Sequence, residues 1–495
     1  MDAEYVLAWV VPLFAGAGVW RLAAGAGTSR GDGAATLGAG WLVGILLAGL
    51  LAPFCAADAT RETFARTAPW LVLVGVVAWV VTAFRAWRHR GTRVDQTADS
   101  PDMLVRIVFG LLVALIAVRV GLLAWEASLR PLFPWDAWST WAFKAKTWFG
   151  LGHAEAWVPM KEWLAGRHAT ALTMPASAYP DLLAWIELWF ASAAHAFEGP
   201  RIALAWSGAL VAFAFAAYGY WRAAGHAALA ALALVYALIS LPLLDAHVAL
   251  AGYADLWVAL VLGLAALAWM RFIETGATGQ LLLCAGLALV LPMIKLEGAF
   301  WLLALAVVIL LERLPRRSRW PFALAAVGLI VIGLVTGGFE LPLPELGLVR
   351  IHWGLVDIPA LGRYPLAFHP VGQEILAGLF TLPNWHLLWY LAPLVAIVRW
   401  RVFGRVPAAR FLGLALLLFL AFLAVLFFFT GAAAWARDYT SANRLVLQIV
   451  PAMVVLLALL LRPDSSVPAS DRSELRKARG NPDPADSVQG STGLS

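Results

Sequence analysis

The chain has 495 residues, of which 62% are hydrophobic and 13% charged, against roughly 45–50% and about 25% in an ordinary soluble domain. That excess of apolar surface excludes a water-soluble enzyme with one anchor and implies an all-α polytopic membrane protein. The formal net charge of +6 calls for no nucleic acid, because cytoplasmic Lys and Arg raise the charge of a helical membrane protein unaided; Cys55 and Cys284, both in apolar runs, offer neither a disulfide framework nor a zinc site.

A spanning helix takes about 20 apolar residues. In chain order the apolar runs predict about 13 spans, near 5–24, 34–54, 68–87, 104–124, 202–221, 226–244, 254–272, 280–294, 298–311, 320–338, 384–399, 410–430 and 444–461. The opening MDAEY carries acid where a secretory leader carries a basic segment, so the first run reads as a true span with its N-terminus outside. Residues 1–88 form an N-terminal three-helix addition ending in basic residues Arg85 and Arg88, followed by Arg90 and Arg93.

The next unit, 89–311, contains an outer loop at 127–201. Its Pro134 to Phe149 segment places Trp138, Trp141, Ala145 and Trp148 on one helical face, an aromatic helix for the headgroup layer, with Lys144 and Lys146 free to meet a phosphate or to snorkel. Asp136, at the start of that helix, reads as an N-cap or as a site carboxylate. The run 181–197, which holds Glu187 and His195, decides the parity of everything after it. If it stays on the outer face, the clusters Arg313, Arg316, Arg317, Arg319 and Arg399, Arg401, Arg405, Arg410 all fall inside with the tail, as the positive-inside rule requires; a juxtamembrane helix is therefore predicted there.

Two further polar groups follow. In Leu244-Asp245-Ala246-His247 and Gly252-Tyr253-Ala254-Asp255, His247 reads as a solvated loop histidine or a ligand, and Asp255 as an N-cap or a site acid. Lys295-Leu296-Glu297-Gly298 interrupts a long apolar run, and a charge at the bilayer centre costs about 2.5–3.5 kcal/mol unless it faces a protein-lined cavity. Two helices of about 15 residues span about 22 Å each, short of the roughly 30 Å hydrocarbon core, so this turn is expected at the floor of a cavity; a self-contained Lys295–Glu297 pair is the alternative. The C-terminal helices, 312–461, carry an outer loop at 339–383 and bring Arg437 and Arg444 to the outer face, where a guanidinium suits a phosphate or snorkels to lipid. The tail 462–495, rich in Pro, Ser, Asp and Arg, is expected to be disordered and cytoplasmic.

Trp135-Asp136-Ala137-Trp138, Gly252-Tyr253-Ala254-Asp255 and Lys295-Leu296-Glu297-Gly298, in that order, resemble the acidic and lysine motifs of the GT-C glycosyltransferases, which use polyprenyl-phosphate-linked sugars and include aminoarabinose transferases and protein O-mannosyltransferases. The resemblance covers 104–311 and, more loosely, Asn443-Arg444. It implies a GT-C-like core with outer-face juxtamembrane helices in the plasma (inner) membrane. It further implies an inverting transfer from a polyprenyl-phosphate sugar donor to a glycan, lipid or protein acceptor, with Asp136 and Asp255 catalytic. Lys295, Glu297, Tyr253, His247, Lys144, Lys146, Arg437 and Arg444 would bind substrate, and a divalent cation, Mg or Mn, would sit on Asp136, Asp255 and Glu297 if a metal is used. Asp136-Ala137 stands where many relatives have two adjacent acids. Competing readings are a transporter or flippase for a lipid-linked substrate, a noncatalytic assembly subunit, and a polysaccharide polymerase or ligase, which would draw on Arg350, His352, Arg363 and His369.

Overall fold

The computed structural model describes residues 2–25, 29–88, 102–166, 169–343, 347–352, 354–358 and 362–462; Arg90, Arg93 and the tail from 463 lie outside the described residues. Among the described residues, eight helices are long and apolar enough to cross a membrane, or nine if one bent pair counts as a single span. The protein is therefore a mainly helical, multi-pass membrane protein. The eight are Ala3–Ala24, Asp32–Ala56, Thr60–Arg88, Met103–Ser128, Gly199–Ala223, Ala254–Thr275, Pro407–Phe429 and Ser441–Leu460.

The expected count of 13 is not reached, because several apolar runs make shorter helices. Thr278–Ile294 has 17 residues, Gly298–Arg313 has 16 and Leu388–Val398 has 11, about 26, 24 and 17 Å at 1.5 Å per residue. The run expected at 226–244 breaks into Ala228–Ile239 and Pro242–Ala249 with a bend of 65°. Pro242 opens the second piece, and a proline tolerated at a helix start cannot continue the helix before it. Arg119, from Met103–Ser128, secures this break: it donates to Ser240 O at 3.0 Å and pairs with the carboxylate of Asp245.

The chain is not purely α. Phe339–Leu343, Gly347–His352, Leu355–Ile358 and Gly362–Pro365 form a four-stranded antiparallel sheet paired in sequence order. The cross-strand partners Glu340 and Arg350 make an ion pair at 3.1 Å, and Asp357 and Arg363 another at 3.1 Å. A two-stranded parallel ladder, Trp157–Val158 with Leu172–Thr173, lies in the loop before residue 182.

The segment Leu182–Ala193 is a helix of 12 residues, every one of them buried, and about 18 Å long. It is not an amphipathic helix lying on a surface: protein encloses it on all sides. Leu182 and Ile186 fill the space beside Gly49, in the body of Asp32–Ala56, while Ser192 Oγ accepts from the Phe64 backbone N–H at 2.8 Å. The chain then turns at His195 with φ 54° and reaches Arg201, which pairs with Asp2 at 3.0 Å. The segment thus rises toward the end of the bundle that holds the N-terminus.

The basic residues gather at the other end. Arg85 reaches Leu22 O, Arg271 reaches Ser29 Oγ and Ala223 O, Arg462 pairs with Glu274 at 2.6 Å, Arg399 donates to Leu460 O at 2.8 Å, and the Arg313 guanidinium lies over Phe272. These five arginines bind neighbouring helix ends together at one basic end.

Candidate functional site

At the end opposite the basic one, four stretches far apart in sequence meet. Asp255, the second residue of Ala254–Thr275, is fully buried and caps nothing. Its Oδ1 accepts from Lys295 Nζ at 2.8 Å and from Gln448 Nε2 at 2.6 Å, and its Oδ2 accepts from Arg444 Nε at 3.0 Å and Nη2 at 2.6 Å. Arg444 Nη2 also donates to Asp136 Oδ2, so one guanidinium bridges both aspartates. Lys295 Nζ stands 3.5 Å from Glu297 Oε1. The alternative of a self-contained Lys295–Glu297 pair fails, because the nearer partner of Lys295 is Asp255 on another helix. The N-cap readings of Asp136 and Asp255 fail likewise: the caps are Pro134 and Tyr253, and neither carboxylate bonds its own helix start.

Local sequence explains the convergence. Gly252 has φ 118°, a left-handed backbone open to glycine, and a Cβ there would come within 2.5 Å of Ala137 Cβ. That close approach lets the Trp135–Ser139 helix carry Asp136 to Arg444. Gly298 closes the Lys295 turn, its N–H donating to Lys295 O at 2.9 Å, in a space where a Cβ would strike the Leu291 carbonyl. Gln448 follows Arg444 by four residues, so both lie on one face of Ser441–Leu460, and Trp301 Nε1 holds the Gln448 Oε1 at 2.6 Å.

Aromatic rings position the cation. The Arg444 guanidinium lies 4.1 Å from the Tyr253 ring centroid, a cation–π contact, and His247 packs 5.1 Å from the same ring. His247 is buried, with Nδ1 bonded to Leu243 O at 2.8 Å; the expectation of a solvated loop histidine is corrected, because the loop is the helix Pro242–Ala249, packed into the bundle. Trp206 Nε1 fixes Tyr253 O at 2.9 Å.

The expected aromatic helix breaks at Thr140, with φ −140° and ψ −95°, into Trp135–Ser139 and Trp141–Leu151. The break separates the proposed face: Trp141 and Trp148 are buried against protein, while Trp135 and Trp138 are 64% and 51% exposed beside Asp136. Lys144 is buried, donating to Tyr179 O at 2.5 Å, Ser177 O at 3.2 Å and Asp181 Oδ1 at 2.6 Å. Burial pulls its ammonium pKa below the usual lysine value, and Asp181 acts against that shift. It fastens the loop that carries Tyr179. Burial, aided by the Glu297 carboxylate, pushes the Tyr179 phenol up. Lys146 and Arg437 are exposed and stand apart from the cluster. The sequence reading gave Gln448 no role, although it was legible as a lone amide inside an apolar span.

Among the described residues no three of His, Cys, Asp and Glu converge as a metal site would require. Lys295 and Arg444 stand among Asp136, Asp255 and Glu297 and occupy the positions beside them, so the donor set fits a divalent cation poorly. The chain matches no protein-family model, no curated protein and no solved structure.

Proposed function

We propose that the protein is an integral membrane glycosyltransferase of the GT-C kind, moving a sugar from a polyprenyl-phosphate donor to an acceptor hydroxyl at the membrane face opposite the basic end. The observation that supports this reading is the meeting of Asp136, Asp255, Lys295, Glu297 and Arg444 at the ends of otherwise apolar helices. Their motifs stand in the order that the resemblance requires. The basic end then faces the cytoplasm, the N-terminus lies outside, and the short apolar helices complete about 13 crossings of the plasma membrane.

On this reading the reaction is one inverting displacement. Asp136 accepts the proton of the acceptor hydroxyl, the acceptor oxygen bonds to the anomeric carbon, and the bond from that carbon to the phosphate oxygen breaks. Arg444 and Lys295 receive the negative charge that develops on the departing phosphate. Asp255, which touches both cations, is a positioning residue, as are Gln448 and Tyr253. Arg444 is engaged by Asp136, so donor phosphate must first draw the guanidinium away and release the base. No step is routed through a metal. Lys144 orders the loop instead of binding phosphate.

The polymerase or ligase reading loses support, because Arg350 and Arg363 are spent in cross-strand ion pairs. The flippase reading draws on the broken helix at Ser240–Leu241. Mass spectrometry of lipids and glycans from a deletion strain beside wild type, followed by incubation of purified protein with a synthetic prenyl-phosphate sugar, separates these readings. A missing sugar and released prenyl phosphate are expected; a lipid carried across vesicles with no bond cleaved would establish the flippase instead.

A further inference from the structure

Away from this site, the N-terminal three helices and the bundle enclose a groove of about 760 Å³, within the size of ordinary ligand sites. Val19 and Leu22 line it from Ala3–Ala24, Leu46 and Leu50 from Asp32–Ala56, and Leu283 and Leu287 from Thr278–Ile294. Along the last helix it extends from Thr278 to Val290, about 18 Å at 1.5 Å per residue and slightly more than the ~15 Å of one leaflet of a ~30 Å hydrocarbon core. A Cβ on Gly286 would meet nothing within 4 Å, and the adjoining Leu282 is 67% exposed, so the trough opens sideways to lipid.

Among the described residues its lining holds a single charged one, Arg85, and that residue sits at the basic end. One long hydrogen bond, from Nη1 to Leu22 O at 3.4 Å, uses one of its five N–H donors. Thr278, also in the lining, adds a hydroxyl, and its helix begins after Ala277, which provides no side-chain cap. An apolar trough of leaflet length with a guanidinium at headgroup depth matches the two parts of an anionic phospholipid, as do basic pockets between membrane helices generally.

We propose that this groove binds one anionic phospholipid from the leaflet at the basic end, with an acyl chain along Leu46, Leu283 and Leu287 and the phosphate at Arg85. The site is independent of the glycosyltransferase reading. The full-length protein, placed in nanodiscs of equal phosphatidylglycerol and phosphatidylethanolamine and released into detergent for native mass spectrometry, tests it. Wild type should retain one phosphatidylglycerol per chain in preference to phosphatidylethanolamine. Arg85→Gln, an exposed position, should lower that occupancy at least tenfold. Gly286→Leu, which fills open space, should expel the lipid without lowering the melting temperature. The proposal is overturned if wild type retains no lipid or both lipids equally, if either variant binds as wild type does, or if added prenyl phosphate displaces phosphatidylglycerol at equal concentration.

Discussion

Asp255 offers the sharpest test of how the charged cluster is held. The fully buried carboxylate accepts four hydrogen bonds from Lys295, Gln448 and Arg444. In Asp255→Asn, whichever way the amide is turned, its NH₂ faces either Arg444 or Lys295 and Gln448, all of them donors. Removing one partner of a buried ion pair costs about 3–5 kcal/mol, and that loss is expected here. Lys295→Met removes less, because Arg444 still neutralises Asp255; loss of one hydrogen bond to a charged group amounts to about 1.5–3 kcal/mol. The double variant no longer strands the ammonium against an uncharged neighbour, so its loss should fall short of the sum of the single losses by about 1–3 kcal/mol. Denaturant titration of the micellar protein, followed by fluorescence of the buried Trp206, Trp257 and Trp301, measures all three variants. Additivity within about 0.5 kcal/mol, or a loss below about 1 kcal/mol for Asp255→Asn, would refute the claim that this network holds the helix ends together.

Asp136→Asn separates chemistry from scaffold. With its carboxylate partly exposed and, among the described residues, bonded to Arg444 alone, the change should alter stability by no more than about 1–2 kcal/mol while abolishing sugar transfer; turnover retained by the purified variant removes Asp136 from the role of base. Gly252→Ala should lower both stability and activity, since it adds a methyl where φ is 118° and Ala137 leaves no room. A variant with wild-type activity would show that the close approach does not place Asp136. Arg119→Met strands the half-buried Asp245 carboxylate at the helix break and should cost about 1.5–3 kcal/mol in the same titration, whereas Arg119→Met combined with Asp245→Leu should recover most of it; no recovery would mean that the pair does not staple the break.

The long apolar runs were legible as helices because twenty residues without charge permit little else in a bilayer. What composition conceals is where a helix stops. Pro242 cut one expected span into two, and the Thr140 break turned Trp138 outward while Trp141 and Trp148 turned in. The strands at 339–365 escaped detection because half-buried polar stretches read as loop until Arg350 and Arg363 are seen opposite acids. Asp136, Asp255, Lys295 and Arg444 were each legible as charges out of place, yet each also had a local explanation as a cap, a self-contained ion pair or a snorkelling side chain. Only tertiary geometry shows one guanidinium serving two aspartates, and no spacing in the sequence connects residue 136 to residue 444.

That shared guanidinium also constrains any chemistry at the site. Asp136, Asp255 and Glu297 together carry one more formal charge than Lys295 and Arg444, so the resting cluster is net negative when all three acids are ionised, and an entering phosphate would meet repulsion as well as its two cations. Asp255 cannot leave, because its two oxygens are fully engaged. Among the described residues Asp136 is held through Arg444 alone, and it is the carboxylate whose proton uptake the proposed reaction needs. When donor phosphate takes Arg444, Asp136 gives up its cation and becomes a stronger base, and when it then accepts the acceptor proton, the cluster loses one negative charge as the departing phosphate gains one. The proposed displacement therefore moves charge across the site without adding to it, and Asp136 suits the role of base better than Asp255, whose two oxygens already accept from Lys295, Gln448 and Arg444.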